Sequence, residues 1–241
     1  EGGDRVAEIG IVLTDNNGRV EHEWSTLVNP QRDVGATHVH GLSARDLLDA
    51  PTFRDVADDV IELLAGRTVT AHNAPFDMRF LHAELNRAGY AIERRPSALC
   101  TMKWSGRLIG PAKLEHCCEA LGIALTNAHT ALNDALATAE LMRHLLTMRG
   151  PGDEWDRDVL ESERFAWPAS HGHAGQTALR VRESSPARAD AWLDTVLAAT
   201  WIPGVPEDEA SYLLVLDRAL LDRNISLTEG KQLAEAAMSA G

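Results

Sequence analysis

Residues 67–77 read RTVTAHNAPFD, and the turn that this stretch makes decides the fold. Arg67 to Ala71 is a short run with β-branched residues, as expected of a buried strand. His72 to Pro75 ends it. A helix is expected from about Phe76 to Ala88, with Phe80, Leu81, Leu85 and Ala88 on its core side. A strand that feeds straight into a helix is the building unit of an α/β fold, and such folds place their chemistry at the junction. Asp77 stands at that junction. On the residues alone, a first-turn carboxylate also fits a plain structural role, because the helix dipole favours negative charge there.

Upstream, Val6 to Thr14 is a mostly apolar strand. Asp15-Asn16-Asn17-Gly18 has the chemistry of a hairpin turn, and Val20 to Val28 returns as a strand that alternates enough to lie at an edge. Asn29 to Leu42 is a long loop that ends at Ser43, an N-cap for a short helix. A second helix runs from Phe53 to Leu64, with Phe53, Val56, Val60 and Leu64 on one face and Gly66 at its end.

Downstream, Ser97 to Thr101 is another short strand, followed by helices at Met102–Leu108 and Lys113–Leu121. Ala128 to Leu146 then reads as one amphipathic helix, with Leu132, Leu136, Ala139, Met142 and Leu146 as its core-facing stripe. His129 lies at its start, and Asp134 lies in its first turns beside the stripe. The pair could hold a metal and a proton-transfer group on one edge; taken alone it reads first as structural.

After Met148 the texture changes. Arg149-Gly150-Pro151-Gly152 breaks the helix, and 151–188 lacks clear periodicity, so a linker or irregular segment is expected there. Helices are expected at Ala189–Thr200, at Glu207–Arg223, and from the Ser226/Glu229 capping box through Met238. The layout is an α/β domain over 1–150, the segment 151–188, and a small helical C-terminal region over 189–241.

Composition bounds the function. The chain has 241 residues, 44% of them hydrophobic, which suffices for a packed core. No apolar run approaches the roughly 18 residues of a membrane span, and no membrane partner is expected. Cys100, Cys117 and Cys118 lack metal-binding spacing, so free thiols in a reducing, cytoplasmic setting are expected. The net charge of −13, 36 acids against 23 bases, argues against a protein that grips nucleic acid broadly by its phosphates. It leaves room for an enzyme that handles a few nucleotides through metal ions. From Pro151 onward there are 16 acids and 8 bases, so the tail is no nucleic-acid grip.

Hard divalent ions want converging carboxylate oxygens at about 2.0–2.6 Å. Paired ions about 3.5–4 Å apart activate a water and stabilise a leaving oxygen in nucleases. A neutral His nearby can take that water's proton. Asp77, Asp134 and His129 are the residue types this needs. His72 reads as a structural hydrogen-bonder, His38 and His40 as loop packing, and His171-Gly172-His173 as an exposed loop. Trp155, Trp167, Trp192 and Trp201 read as core or partner contacts. Arg94, Arg95, Lys103, Arg107 and Lys113 form a basic-leaning stretch that is either a nucleic-acid path or an ordinary solvated face.

His72-Asn73-Ala74-Pro75-Phe76-Asp77 resembles the second motif of the DEDDh 3′–5′ exonucleases, the family of bacterial proofreading subunits. His129 to Asp134, His-x4-Asp, resembles their third. Arg5-Val6-Ala7-Glu8-Ile9-Gly10, His38-Val39-His40-Gly41-Leu42, Leu99-Cys100-Thr101 and Leu121-Gly122-Ile123 fall in family order, so the likeness spans about residues 1–148. It implies a ribonuclease H-like mixed sheet flanked by helices. It also implies two Mg²⁺ or Mn²⁺ ions, with Asp77 and Asp134 as metal ligands and His129 as general base. Phe76 and Asn73 would shape the substrate site. The implied activity is release of nucleoside 5′-monophosphates from 3′ ends of single-stranded DNA, with RNA as the other candidate substrate. A polymerase or other protein would be the partner of the C-terminal region.

The family's first motif, Asp-x-Glu followed by Thr-Thr-Gly, would stand just before Arg5, and neither Glu1 nor Glu8 replaces it. Without its strand, the hairpin would have no hydrogen-bonded link to the later strands. Unpaired buried groups cost about 1–3 kcal/mol each against a stability of about 5–15 kcal/mol. The natural protein is therefore expected to carry that motif upstream. A non-catalytic exonuclease-like module, binding through its C-terminal helices, is the alternative reading.

Overall fold

The computed structural model describes residues 5–32, 41–125, 130–150 and 152–182. His38, His40, His129, Trp192, Trp201 and the helices expected at 189–200, 207–223 and 226–238 lie outside the described residues. Two compact units divide the chain. One comprises Glu1–Gln31 and Asp49–Val181, the other Arg32–Leu48 and Arg182–Gly241. In the second, the Ser43 N–H donates to Asp46 Oδ2 at 2.9 Å and caps helix α1 (Ala44–Leu47).

The first unit is α/β. Strands β1 (Glu8–Thr14) and β2 (Val20–Leu27) form an antiparallel hairpin, with Ile11 opposite Trp24. Its turn closes because Asp15 Oδ1 accepts the N–H groups of Asn17 and Arg19 at 2.9 and 2.8 Å. Strands β3 (Thr70–Ala71) and β4 (Leu99–Cys100) form a parallel pair, each shorter than the five-residue run expected from sequence. Among the described residues the two sheets share no strand.

Helix α2 (Phe53–Leu64) covers one face of the hairpin. The Thr52 N–H, donating to Asp55 Oδ2 at 2.8 Å, starts it. Ile11 and Trp24 pack on Val56 and Val60, with Ile9 and Leu13 beside them. Period-2 alternation turns Gly10 to the opposite face, where helix α6 (Ala131–Met148) lies. A Cβ on Gly10 would stand 2.4 Å from the Ala131 carbonyl carbon, and one on Gly18 would stand 2.9 Å from Arg143 Cβ. These two glycines let the helix rest directly on the hairpin.

The buried positions of α6 are Ala137, Thr138, Leu141 and Leu145, whereas the expected stripe of Leu132, Leu136, Ala139, Met142 and Leu146 is only half-buried. The reason is a second packing partner. Leu141 and Leu145 also pack with Leu99, with Trp104 of α4 (Thr101–Leu108), with Cys117 of α5 (Leu114–Leu121), and with Trp155. Covered on two sides, the helix buries the line between them.

Trp155 belongs to helix α7 (Asp153–Glu163), which occupies the start of the expected linker. Ser162 is buried there, accepting the Val69 N–H at 2.9 Å just before β3 begins. The chain beyond α7 then straps α2. Asp58, 4% exposed, accepts the Tyr90 hydroxyl and the N–H groups of His171 and His173 at 2.9 and 2.8 Å. Gly175 N–H donates to Asp59 and the Thr177 hydroxyl to the Asp55 carbonyl. At the end of the strap, Leu27 N–H donates to the Arg180 carbonyl at 2.7 Å. His171 and His173 are exposed, as their sequence suggested, although their backbone is tied down.

Two substitutions test this packing by urea denaturation. Gly10→Ala should cost about 1–3 kcal/mol, because an overpacked contact against helix backbone cannot relax by a rotamer change. Asp58→Ala should cost about 2–5 kcal/mol, since it strands three donors around one buried point.

Candidate active site

Because β3 and β4 are parallel, their C-terminal ends lie on the same side, and both run into helices. Cys100 leads directly into α4. Ala71 leads through His72 and Asn73 into helix α3 (Ala74–Ala88). Asn73 takes φ +68°, a left-handed backbone that Asn adopts more readily than most residues. Its carbonyl accepts the Phe76 N–H at 2.8 Å, and Pro75 sits in the first turn, where a missing N–H costs nothing. This reversal sets Asp77 in the first turn of α3, beside the sheet end.

His72 bridges three segments. Its Nε2 lies 2.7 Å from the Ala112 carbonyl oxygen, and its Nδ1 lies 3.0 Å from the Thr101 hydroxyl. Burial lowers its pKa below the usual imidazole value, against the raising effects of the Ala112 bond and of the Asp134 charge. The ring is therefore neutral near pH 7. A carbonyl can only accept, so Nε2 carries the proton and Nδ1 accepts from Thr101. Thr101 is fully buried. With both nitrogens engaged, His72 is a brace, as the sequence suggested.

Asp134 lies in the first turn of α6, half-buried, its N–H donating to the Thr130 carbonyl at 3.0 Å. Its charge acts on His72 and also helps burial to raise the Cys118 thiol. The Asp134 charge is thus felt at His72, the residue that follows β3, and Asp77 stands five residues further on in the first turn of α3. Asp77 is open to solvent at its surface, yet the surrounding protein strips enough water to push its carboxyl up to about 6, against a hydrogen bond from its own N–H. Among the described residues no cation offsets that push. A carboxylate held at a disadvantage without a counter-charge fits a cation site. Among the described residues, no three His, Cys, Asp or Glu side chains converge on one point, and His129 lies outside them.

Asn73 and Phe76 are exposed beside Asp77. Sequence reasoning gave no role to Thr101 or Arg79. Thr101 is a hydroxyl residue directly after a strand, and Arg79 lies three residues after one Phe and one before another, which are the signals available for them. The basic stretch is partly committed elsewhere. Lys103 pairs with Asp158 at 2.6 Å and Arg107 with Glu154 at 2.7 Å, both on α7, and both cations lie over Trp104.

Comparison with known proteins places this geometry. Residues 1–142 match the RNase T model, described as exonuclease. The DNA polymerase III epsilon subunit of Rickettsia felis is 31% identical over 148 residues, 58% of this chain and 65% of that protein. That of Haemophilus influenzae is 30% identical over 156 residues, 62% of this chain and 60% of the relative. An epsilon-like protein of Rhodobacter capsulatus is 35% identical over 153 residues, 60% of this chain and 21% of that protein. The chain spans less than two thirds of the length of each of these three relatives.

The raised Asp77 carboxyl has a stability signature. A folded pKa of about 6 against an ordinary 3.8 means that the fold holds this proton more tightly than the unfolded chain does. Its stabilising effect is complete below pH 3.8 and is lost as pH rises through about 6. In chelator, Asp77→Asn should therefore melt above the original protein at pH 7.5, and the gap should close by about pH 4. Thermal melts across that range check it; a gap independent of pH would show that Asp77 is not perturbed.

Proposed function

This chain belongs to the DEDDh-type exonuclease family, and on that premise we propose that it removes nucleoside 5′-monophosphates from 3′ ends of single-stranded DNA, in proofreading or repair. The observation that supports this most is the Asp77 carboxyl. It is a perturbed acid with no cationic neighbour among the described residues, and it stands where β3 turns into α3.

Asp77 and Asp134 supply the negative charge that would hold Mg²⁺ or Mn²⁺, two ions in the full site. Bound there, the metal supplies charge neutralisation for the phosphodiester and its leaving oxygen. His129 accepts the proton of the attacking water. The family resemblance implies that role for His129; His72, with both nitrogens engaged, is a brace. Asn73 and Phe76 flank the 3′-terminal nucleotide. The epsilon relatives are subunits of a polymerase, and the region after residue 182 is the proposed contact for such a partner.

The test is release of mononucleotide from a 5′-labelled single strand in Mn²⁺. Asp134→Ala should slow it by more than about a hundredfold. Mn²⁺ should raise the melting temperature of the original protein, and should do so less in Asp77→Ala and Asp134→Ala, a readout independent of turnover. Undiminished cleavage by Asp134→Ala would refute the assignment. Strand binding without any cleavage by the original protein would favour the non-catalytic module.

A further inference from the structure

Glu84 lies in α3, 1% exposed, and the proposed chemistry does not use it. Its Oε1 accepts Arg5 Nε at 2.6 Å, the Val6 N–H at 3.2 Å and Arg87 Nη1 at 3.2 Å. Its Oε2 is buried and accepts nothing among the described residues. Two guanidiniums thus meet at a single oxygen. A third stands beside them, because Arg54, in the first turn of α2, donates from Nη2 to the Arg87 carbonyl at 3.2 Å. Among the described residues Arg54 meets no carboxylate, and Arg5 and Arg87 meet only that of Glu84. Asp55, next to Arg54 in sequence, is taken up by Thr52 at the start of α2. Three cations against one anion leave a local excess of two positive charges, in a chain whose net charge is −13.

Like charges held this close repel, and the last-turn carbonyls of α3 offset only part of that. The guanidiniums are not sealed off: the Arg87 side chain is 39% exposed, that of Arg5 is 20% exposed, and Arg54 is exposed. A guanidinium has five N–H donors, and among the described residues each of these three spends one. The donors left over are the fork that oxyanions accept in bidentate fashion. A phosphate monoester carries about −1.5 to −2 near neutral pH, which matches the excess, whereas a diester carries a single charge. We infer that Arg5, Arg54 and Arg87, with buried Glu84 holding two of them in place, form a binding site for a phosphate monoester, about 15 Å along α3 from Asp77. The site rests on this cluster and not on the exonuclease reading. Glu84 contributes by restraining Arg5 and Arg87 beforehand, so that less side-chain freedom is lost when the anion binds. Free phosphate and the 5′-phosphate of a nucleotide both present the required group, and the test separates them.

Calorimetric titration of the full chain in metal-free chloride buffer tests this, with inorganic phosphate, thymidine 5′-monophosphate and diethyl phosphate as probes. Inorganic phosphate should bind, and diethyl phosphate should bind at least about tenfold more weakly. Arg87→Ala and Arg54→Ala should each weaken phosphate binding about tenfold, and Arg87→Lys should recover part of the loss, because an ammonium keeps the charge without the fork. The two alanine variants lie on different helices, so a folding defect in one leaves the other to decide. Thymidine 5′-monophosphate bound as tightly as phosphate would make the phosphate group alone the ligand. The same nucleotide bound more than about tenfold tighter, and losing that affinity in Arg87→Ala, would make the ligand a nucleotide. Phosphate bound equally by the original protein and by both alanine variants would overturn the site, as would an original protein that takes up no phosphate or prefers the diester.

Discussion

The close approach of the Ala131 backbone to Gly10 sets how helix α6 lies on that side of the hairpin. Helix α6 lies flush on the sheet only because Gly10 and Gly18 present no side chain to it. From that seating follow the contacts of Leu141 and Leu145 with Leu99, Trp104 and Trp155. The first turn of α6 is held as well, and with it the Asp134 charge near His72. Active-site chemistry tolerates displacements of about half an ångström. A methyl group at a contact already this tight would be felt at the carboxylate.

The acids of this chain divide into two kinds. Asp58 is buried and saturated, its oxygens taken by a phenol and two peptide N–H groups, so it has no use for an ion. Asp77 is less enclosed, receives among the described residues only a hydrogen bond from its own backbone, and is pushed toward its neutral form. The net charge of −13 conceals this difference, because counting treats both as equal. Local donor supply separates the carboxylate that holds structure together from the one proposed to bind a cation.

Much of the fold could be read from sequence, and the exceptions have physical causes. Helix α2 was legible to the residue, because Phe53, Val56, Val60 and Leu64 share one face and Gly66 follows its end. The hairpin was legible through its turn. Helix α7 was not, because its buried line of Trp155, Val159 and Ser162 includes a hydroxyl residue, and hydrophobic periodicity cannot count a serine that faces inward to bond a strand end. Buried Asp58 was hidden for the same reason. At the site, the junction before Asp77 was legible from strand propensity, Asn and Pro. The bracing by Thr101 and the stacking of Arg79 on the Phe76 and Phe80 rings depend on tertiary approach and spacing that a pattern of apolar residues does not record.

The strap over α2 has a consequence beyond holding that helix. Where it ends, the Arg180 carbonyl takes the outward N–H of Leu27, and the Arg180 N–H donates to the Thr26 hydroxyl at 3.1 Å. Strand β2 would otherwise offer that side of its backbone to any extended peptide that came by, including another copy of the same hairpin. The strap thus works as a built-in sheath against edge-to-edge self-association. A fragment trimmed to end with α6 would lose it, and could aggregate while keeping every residue proposed for the chemistry.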